Sequence, residues 1–441
     1  MARSCGVGGV LLEAAPGRER LRTVAGLSFA GMARSCAGAG AGASVLVCSF
    51  QSVRPIMPSL NPPTVHQFAN DCTPGDGITN GMLLTRKLLR GAGVVSDIYC
   101  AEIHPDLRGD VLPMADYRPG CAGALLVHHG LGNPHEAWLR SLPEARFMVF
   151  HNITPGHLFP ADHPIQPLLA QGWEQVASWR HWLAGTIADS RQNLQELLQR
   201  GHEPERLIEL PLLIDLDRIV KPIRQPDAAV PRPFTLLFVG RVMPHKNQLA
   251  LVEAFAALRQ RVQQPLRLNL VGGFTVPEYA RQVQQRIRAL GLESAVALTG
   301  KVSDAVLAEH YRNSDLFVGL SLHEGFGMPF IEAMAYGLPV IAYDAPDSNV
   351  ADTLGGAGVL LQGCDPHECA VALDDLIRDP LRRLALVERG RLRLHAFEHT
   401  SLAKRLLAYL LRHGVMLPRQ LASPPIATPG ARDQGLSVAA Y

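Results

Sequence analysis

Two carboxylates with seven residues between them, Glu324 and Glu332, bracket the loop of the stretch His323–Met334, HEGFGMPFIEAM. Gly325 and Gly327 open backbone conformations closed to other residues. Pro329 suits the first position of a helix, where its missing N–H costs nothing. Phe330, Ile331, Met334 and Ala335 give that helix an apolar face, and Gly337 is placed to end it in the left-handed conformation. The expected helix start, Gly325, Phe326, Gly327 and Met328, offers free backbone N–H groups, and such a start favours anions, phosphate above all. With phosphate held there, a carboxylate on either side can accept hydrogen bonds from sugar hydroxyls. That combination suits a nucleotide sugar. The plainer reading of the same letters is a surface loop before an amphipathic helix, with both glutamates solvated.

A second charged pair lies upstream in Gly240-Arg241-Val242-Met243-Pro244-His245-Lys246-Asn247. Arg241 can clamp phosphate oxygens in a planar fork, and Lys246 adds a mobile point charge. A solvated cationic turn is the alternative. The elements that must position these groups read as α/β. Phe234–Val239 is a near-continuous apolar strand of the kind buried on both faces of a parallel sheet. Asn247 is an expected N-cap for a helix running to about Val262. Strands at Leu266–Val271, Ala295–Thr299, Leu316–Leu320 and Pro339–Tyr343 alternate with helices at Glu278–Leu290 and Asp304–Arg312, the second capped by Ser303. An earlier α/β stretch begins near Thr64, with strands expected at Val65–Phe68, Val94–Tyr99, Ala124–Val127, Arg146–Val149 and Gly185–Asp189. Its first helix is expected over Met82–Gly91 and a later one over Arg191–Gln199, capped by Ser190. The loop Thr73–Asn80, containing Gly77, is either a ligand-approach loop or a tight turn capped by Asp76. His151 follows the Arg146–Val149 strand, at the strand end where open α/β sheets place ligands, with His128 and His129 as rivals.

The Glu–seven–Glu spacing, with Gly-Arg-x₄-Lys-Asn before it, resembles the retaining glycosyltransferases of GT-B fold, most closely glycosyltransferase family 4 (glycosyl transferases group 1). The resemblance covers roughly Thr64 to Arg412 and is strongest from Phe234 to Leu361. It implies an α/β fold of two Rossmann-like doubly wound domains facing across a cleft. The acceptor domain would span 64–215, a linker 216–232 and the nucleotide-sugar domain 233–397, with a helix over 398–412 crossing back. It implies transfer of a hexose from a UDP- or GDP-sugar to a glycan or lipid-linked glycan, with retention, by same-face attack and with neither metal nor further cofactor. Arg241, Lys246 and the backbone of Gly325–Met328 would hold the diphosphate. Glu332 would bind the ribose, Lys301 and Val302 the nucleobase, and Gly77 would lie over the diphosphate. Glu324 would orient the transferred sugar, with His151 beside it. A GT-B epimerase or phosphorylase, or a non-catalytic nucleotide-sugar-binding protein, are the competing functions; all four charged residues and the lack of an obvious lysine-bound cofactor motif favour a transferase.

Composition narrows the remainder. Forty-two basic against 40 acidic residues give a formal net charge of +2, which argues against a nucleic-acid partner held by bulk charge. No apolar run reaches the roughly 18–20 residues that span a bilayer. The expectation is therefore a cytoplasmic protein, with peripheral association at the inner face of the cell membrane as a further possibility. The basic cluster from Arg382 to Arg393 reads first as a solvated helix face. The eight cysteines form no C-x-x-C pair and are expected as reduced thiols. Residues 1–60 repeat Met-Ala-Arg-Ser-Cys and are too rich in Gly, Ala, Arg and Ser to form a core. They are expected to be disordered or to precede the true start, for which Met57 is a candidate. Residues 417–441 are expected to be a disordered tail.

Overall fold

Short apolar runs that each end in a glycine or a polar turn build two all-parallel sheets. The computed structural model describes residues 62–219, 232–346 and 348–417. The expected N-terminal extension, most of the linker and all but the first residue of the expected tail lie outside them. The first sheet contains β1 (Val65–Cys72), β2 (Ile98–Ile103), β3 (Leu112–Pro113), β4 (Ala124–His129), β5 (Ala145–Phe150), β6 (Gly185–Ala188) and β7 (Leu207–Glu209). Their order is β3-β2-β1-β4-β5-β6-β7. The second contains β8 (Phe234–Val239), β9 (Leu266–Val271), β10 (Val296–Gly300), β11 (Leu316–Gly319), β12 (Val340–Tyr343) and β13 (Gly358–Leu361), in the order β10-β9-β8-β11-β12-β13. The strand order reverses between β1 and β4 and again between β8 and β11, and crevices at such switch points collect ligands. The fold is thus two Rossmann-like α/β units.

The central strands are buried on both faces, which is why β4, β5, β8 and β11 are mostly apolar rather than alternating. On one face of the first sheet, Val65, Phe147 and Ile187 meet Leu402, Leu406 and Leu410 of the last helix, His399–Arg412. That helix is fastened by Tyr409, whose hydroxyl donates to the carbonyl of Arg206 at 2.6 Å. On the opposite face, Phe68, Val127 and Phe150 pack with Trp179. In the second sheet the helices Gln248–Arg261, Pro277–Ala289 and Pro366–Arg378 cover one face, and Met328–Ala335 and Phe397 the other.

Several expectations change. The first helix begins at Gly77, not Met82, because Asp76 accepts from the backbone N–H groups of Ile78 (3.0 Å) and Thr79 (3.1 Å) and so starts it five residues sooner. The second strand is Ile98–Ile103, and Val95 of the expected run makes only an isolated bridge to Thr64. Strands β3, β7 and β13, of two to four residues, were not expected. Cys72 and Cys100 correct the reading of all cysteines as reduced thiols. They sit on the neighbouring strands β1 and β2 with Cα atoms 6.6 Å apart and are joined as a disulfide. Cys121, Cys364 and Cys369 are free.

Candidate active site

The turn after β8 and the loop after β11 meet at the carboxyl edge of the second sheet. The backbone N–H of Leu322 donates to the carbonyl of His245 at 2.7 Å and ties the two together. Within that frame Lys246 Nζ donates to Glu324 Oε1 at 2.6 Å, with the two side chains only 16% and 12% exposed. The two most chemically suggestive residues of opposite sign are therefore direct partners. Arg241, in the same turn, is exposed. It faces the first sheet, since its charge acts on Asp71 at the end of β1. Burial pushes the Asp71 carboxyl up, Asp76 and Glu102 add to this, and Arg241 pulls it back. Asn247 occupies the expected cap position but adopts a left-handed conformation (φ 56°) and makes no side-chain capping bond.

The helix after Glu324 runs Met328–Ala335, so Pro329 is its second residue rather than its first. Phe330, Ile331, Met334 and Ala335 are buried as their spacing requires. Gly327 (φ 83°) and Gly337 (φ 72°) take the left-handed conformation. Gly325 serves a different need, close approach: a Cβ there would stand 2.6 Å from Asn152 Cβ of the first sheet's domain. Gly77 is similar, because a Cβ on it would run into the sulfur of Met328. Lys301 Nζ reaches the carbonyl of Pro74 at 3.3 Å, with Val302 half-buried beside it. Ser303 caps the next helix through the N–H of Val306 at 3.4 Å. The loops holding Gly77, Lys301 and Met328 are thus gathered at one seam.

Glu332 lies one turn into the helix and accepts from the hydroxyl of Tyr311 at 2.7 Å. Tyr311 is itself fixed by stacking on Tyr336, with centroids 4.8 Å apart and planes 3° from parallel. Burial raises the Glu332 pKa and the Tyr311 hydroxyl lowers it in part. Oε2 is occupied by the phenol, which orients the carboxylate.

On the facing domain, one residue from each of four adjacent strands or strand ends joins a hydrogen-bonded row. Gln67 Nε2 donates to the carbonyl of Met82 at 3.0 Å, an amide orientation that turns Oε1 towards His128 Nε2 at 3.2 Å. His128 Nε2 therefore carries a proton, and its Nδ1 accepts from His151 Nε2 at 2.7 Å. His151 Nδ1 lies 3.1 Å from Asp189 Oδ2, so these two share a proton. Burial pushes Asp189 up and His128 well down, and the bond to His151 pulls Asp189 back. The His151 side chain is only 2% exposed and both its ring nitrogens are engaged, whereas His128 is half-buried. His129 points away, to the carbonyl of Gly172 at 3.2 Å. Ser190 caps its helix through the N–H of Asn193 at 3.1 Å.

Known proteins bear on this geometry. The family described as Glycosyl transferases group 1 matches residues 220–393. A D-inositol 3-phosphate glycosyltransferase of Geodermatophilus obscurus is 32% identical over 303 residues, 63% of this chain and 64% of that protein. The protein of that name from Thermobispora bispora is 30% identical over 306 residues, 65% of this chain and 69% of its own. The chain belongs to the glycosyl transferases group 1 family. Its fold is similar to that of Anabaena Alr3699/HepE, solved in complex with UDP and glucose, with a TM-score of 0.64, 17% identity and coverage of 79% of this chain and 100% of that one. The two Rossmann-like sheets are therefore those of a GT-B protein.

Within this group 1 glycosyltransferase fold, the charged groups Arg241, Lys246, Glu324 and Glu332 all come from the second domain. The first supplies the row from Gln67 to Asp189. Sequence reasoning missed Gln67, Asn152, Asp189 and Asn193 as members of the site. The available signals were the positions of Asn152 and Asp189 just past the carboxyl ends of β5 and β6, and the polar Gln67 within β1. A shallow depression of about 620 Å³ at the amino ends of β5 and β6, lined by Arg146, Trp182 and His413 among others, lies on the opposite edge of the first sheet from this site.

Proposed function

We propose that this chain is a retaining glycosyltransferase that moves a hexose from a UDP- or GDP-sugar to a hydroxyl of a glycan or lipid-linked glycan, without a metal. The observation that carries the reading is the Lys246–Glu324 pair, 2.6 Å apart and largely buried in the loop that leads into the helix Met328–Ala335. In this reading the cations and helix-start amides serve the leaving diphosphate as it gains charge, and the carboxylate serves the sugar as it loses it. In the reaction the bond from the anomeric carbon to the phosphate oxygen breaks, and the acceptor oxygen bonds to that carbon on the same face. The acceptor's proton passes to the departing phosphate. Arg241, Lys246 and the amides of Gly325, Phe326, Gly327 and Met328 stabilise the phosphate, and Gly77 lets its loop close over it. Glu332, oriented by Tyr311, accepts from the ribose hydroxyls, and the backbone around Lys301 and Val302 holds the base. Glu324 orients the sugar, and His151, through its row, forms the polar floor beneath it.

Among the described residues no helix is long and apolar enough to cross a membrane. We place the protein in the cytoplasm, peripheral to the membrane where its acceptor is lipid-linked. The helix Pro380–Arg393 fits that placement, exposing Leu381 (76%), Leu384 (63%) and Leu392 (58%) beside Arg382 and Arg389. The full chain is tested with UDP- and GDP-sugars, following nucleotide release with and without glycan, lipid-linked and inositol phosphate acceptors, and reading product stereochemistry by NMR. Release of nucleotide with a retained anomer is expected. No binding and no turnover with any donor, or an inverted product, overturns the proposal.

A further inference from the structure

Two polar bonds cross the seam beside the glutamate loop, a long one from the N–H of Gln192 to Asn349 Oδ1 at 3.4 Å and a short one between side chains. Asn152 Oδ1 accepts from His323 Nε2 at 2.6 Å, and the two residues are only 8% and 4% exposed. Asn152 follows His151 directly, at the end of the row described above. With Asn247 it is one of two non-glycine residues of positive φ among the described residues, at 73°. Asparagine tolerates that conformation better than most side chains, and here it aims the amide across the seam. The amide's orientation is fixed from behind. Its Nδ2 donates to Asn193 Oδ1 at 2.8 Å and to Glu196 Oε2 at 3.3 Å, which leaves Oδ1 as the atom that meets His323. Asn193 donates in turn to Asp189, so the amide is continuous with the buried row.

The other half of the contact bears on Glu324. His323 is the residue before it, and Gly325 after it approaches Asn152 as closely as a missing Cβ allows. Glu324 itself is held by its own domain: its N–H donates to Ser348 Oγ at 3.1 Å, and its carbonyl accepts from the N–H of Asn349 at 2.9 Å. The three-residue segment 323–325 is therefore pinned on one side by the domain that bears the cations and on the other by Asn152. A rotation of one domain against the other would have to break the His323–Asn152 bond, which is buried, short and directional.

We infer that Asn152 and His323 are positioning residues: their bond seats the Glu324 carboxylate over the row of the facing domain when the two halves of the site meet. The inference rests on the glycosyltransferase reading and deepens it. On the proposed function the nucleotide is held by Arg241, Glu332 and the helix start of the second domain, and Asn152 and His323 have no part in holding it. Nucleotide affinity should therefore be independent of the bond, and turnover should depend on it.

The test uses the full chain with His323→Ala, His323→Gln and Asn152→Gly, the last keeping a backbone that accepts positive φ. UDP and GDP affinity is measured by calorimetry, turnover as nucleotide release from the sugar donor, and folding by thermal melting. The expected result is a roughly ten- to thirty-fold loss of kcat in His323→Ala and Asn152→Gly, with nucleotide Kd unchanged. His323→Gln, which keeps an N–H donor, should recover most of the loss. Unchanged turnover in His323→Ala and Asn152→Gly overturns the inference. So does nucleotide affinity falling in step with turnover, or a glutamine no better than alanine. A wild-type chain inert to every donor refutes the glycosyltransferase reading instead. Should His323→Ala fail to fold, the glutamine and glycine variants decide between the same outcomes.

Discussion

Lys246→Met is the substitution that asks most of the proposed chemistry. Methionine keeps most of the stem and removes only the ammonium, so packing around the 16%-exposed side chain is largely retained. Two things are lost together. The diphosphate loses a cation in a half-buried place, where removal of one preorganised donor typically costs about 3 kcal/mol in the transition state. Glu324 Oε1 loses its 2.6 Å partner and is left as an unpaired carboxylate. The expected result is a fall in kcat of roughly 150-fold, read as nucleotide release under donor saturation. Glu324→Gln should still accept the lysine's hydrogen bond through its amide oxygen while removing the negative charge beside the sugar, so turnover should fall while nucleotide affinity holds. Because the two side chains touch, the double variant should lose less than the sum of the singles. Wild-type turnover in Lys246→Met, or strictly additive losses, would refute a coupled pair at the reacting centre.

Glu332→Ala should weaken UDP or GDP binding about tenfold by calorimetry, and unchanged affinity would remove its ribose role. Burial raises the Glu332 pKa and Tyr311 lowers it, and the ionised carboxylate is the form that accepts from the ribose. Nucleotide affinity should therefore be full at higher pH and fall as pH drops through that raised value, with Tyr311→Phe moving the fall to higher pH. Burial lowers His129 to about 4 and His245 to about 3, with Lys246 adding to the second. Both stay neutral in the folded protein while the unfolded chain takes up protons below its ordinary value near 6.5. Stability should be complete above that value and decline on acidification towards pH 4.5, by about 2–3 kcal/mol for each histidine. Melting from pH 7 to 4.5 should show this, with a shallower slope in His245→Asn. Gly185→Ala would drive a methyl into the Tyr409 hydroxyl that fastens the last helix, costing about 1–3 kcal/mol in denaturant unfolding.

The second domain was the more legible half because its central strands are short, mainly apolar runs. Phe234–Val239 and Leu266–Val271 are mainly apolar and mainly buried, and they fall at the residues expected. Arg191–Gln199 and Asp304–Arg312 were readable because Ser190 and Ser303 cap them through local bonds. The first domain yields less to the same logic. The segment Val94–Asp97 is apolar enough for a strand but is spent on tying down β1: Asp97 N–H donates to His66 Nδ1 at 2.9 Å and Asp97 O accepts from Gln67 N–H at 2.9 Å. The row on the sheet edge was out of reach for a plainer reason. Gln67 and His128 are 61 residues apart, His128 and His151 are 23, and His151 and Asp189 are 38. None has a partner from this row near it in the chain until strand order puts β1, β4, β5 and β6 side by side. The Cys72–Cys100 pair was hidden in the same way, since only the pairing of β1 with β2 makes them neighbours.

On the proposed mechanism, the division of charge between the domains suits what a departing diphosphate and a transient sugar cation require. Arg241, Lys246, Glu324 and Glu332 all project from one sheet, whose cations can bind a diphosphate without help from the other half. The facing row contributes hydrogen-bonding atoms with little net charge, because Asp189 and His151 share a proton within hydrogen-bond distance and His128 is held neutral by burial. A strongly charged floor there would compete with the diphosphate for Arg241 and Lys246 or repel Glu324. A neutral, oriented floor can accept and donate to sugar hydroxyls while leaving those ion pairs intact. Two glycines make the fit sterically possible, Gly77 against Met328 and Gly325 against Asn152. On the proposed mechanism, the reacting charges then belong to one domain and the contacts that would aim them to the other.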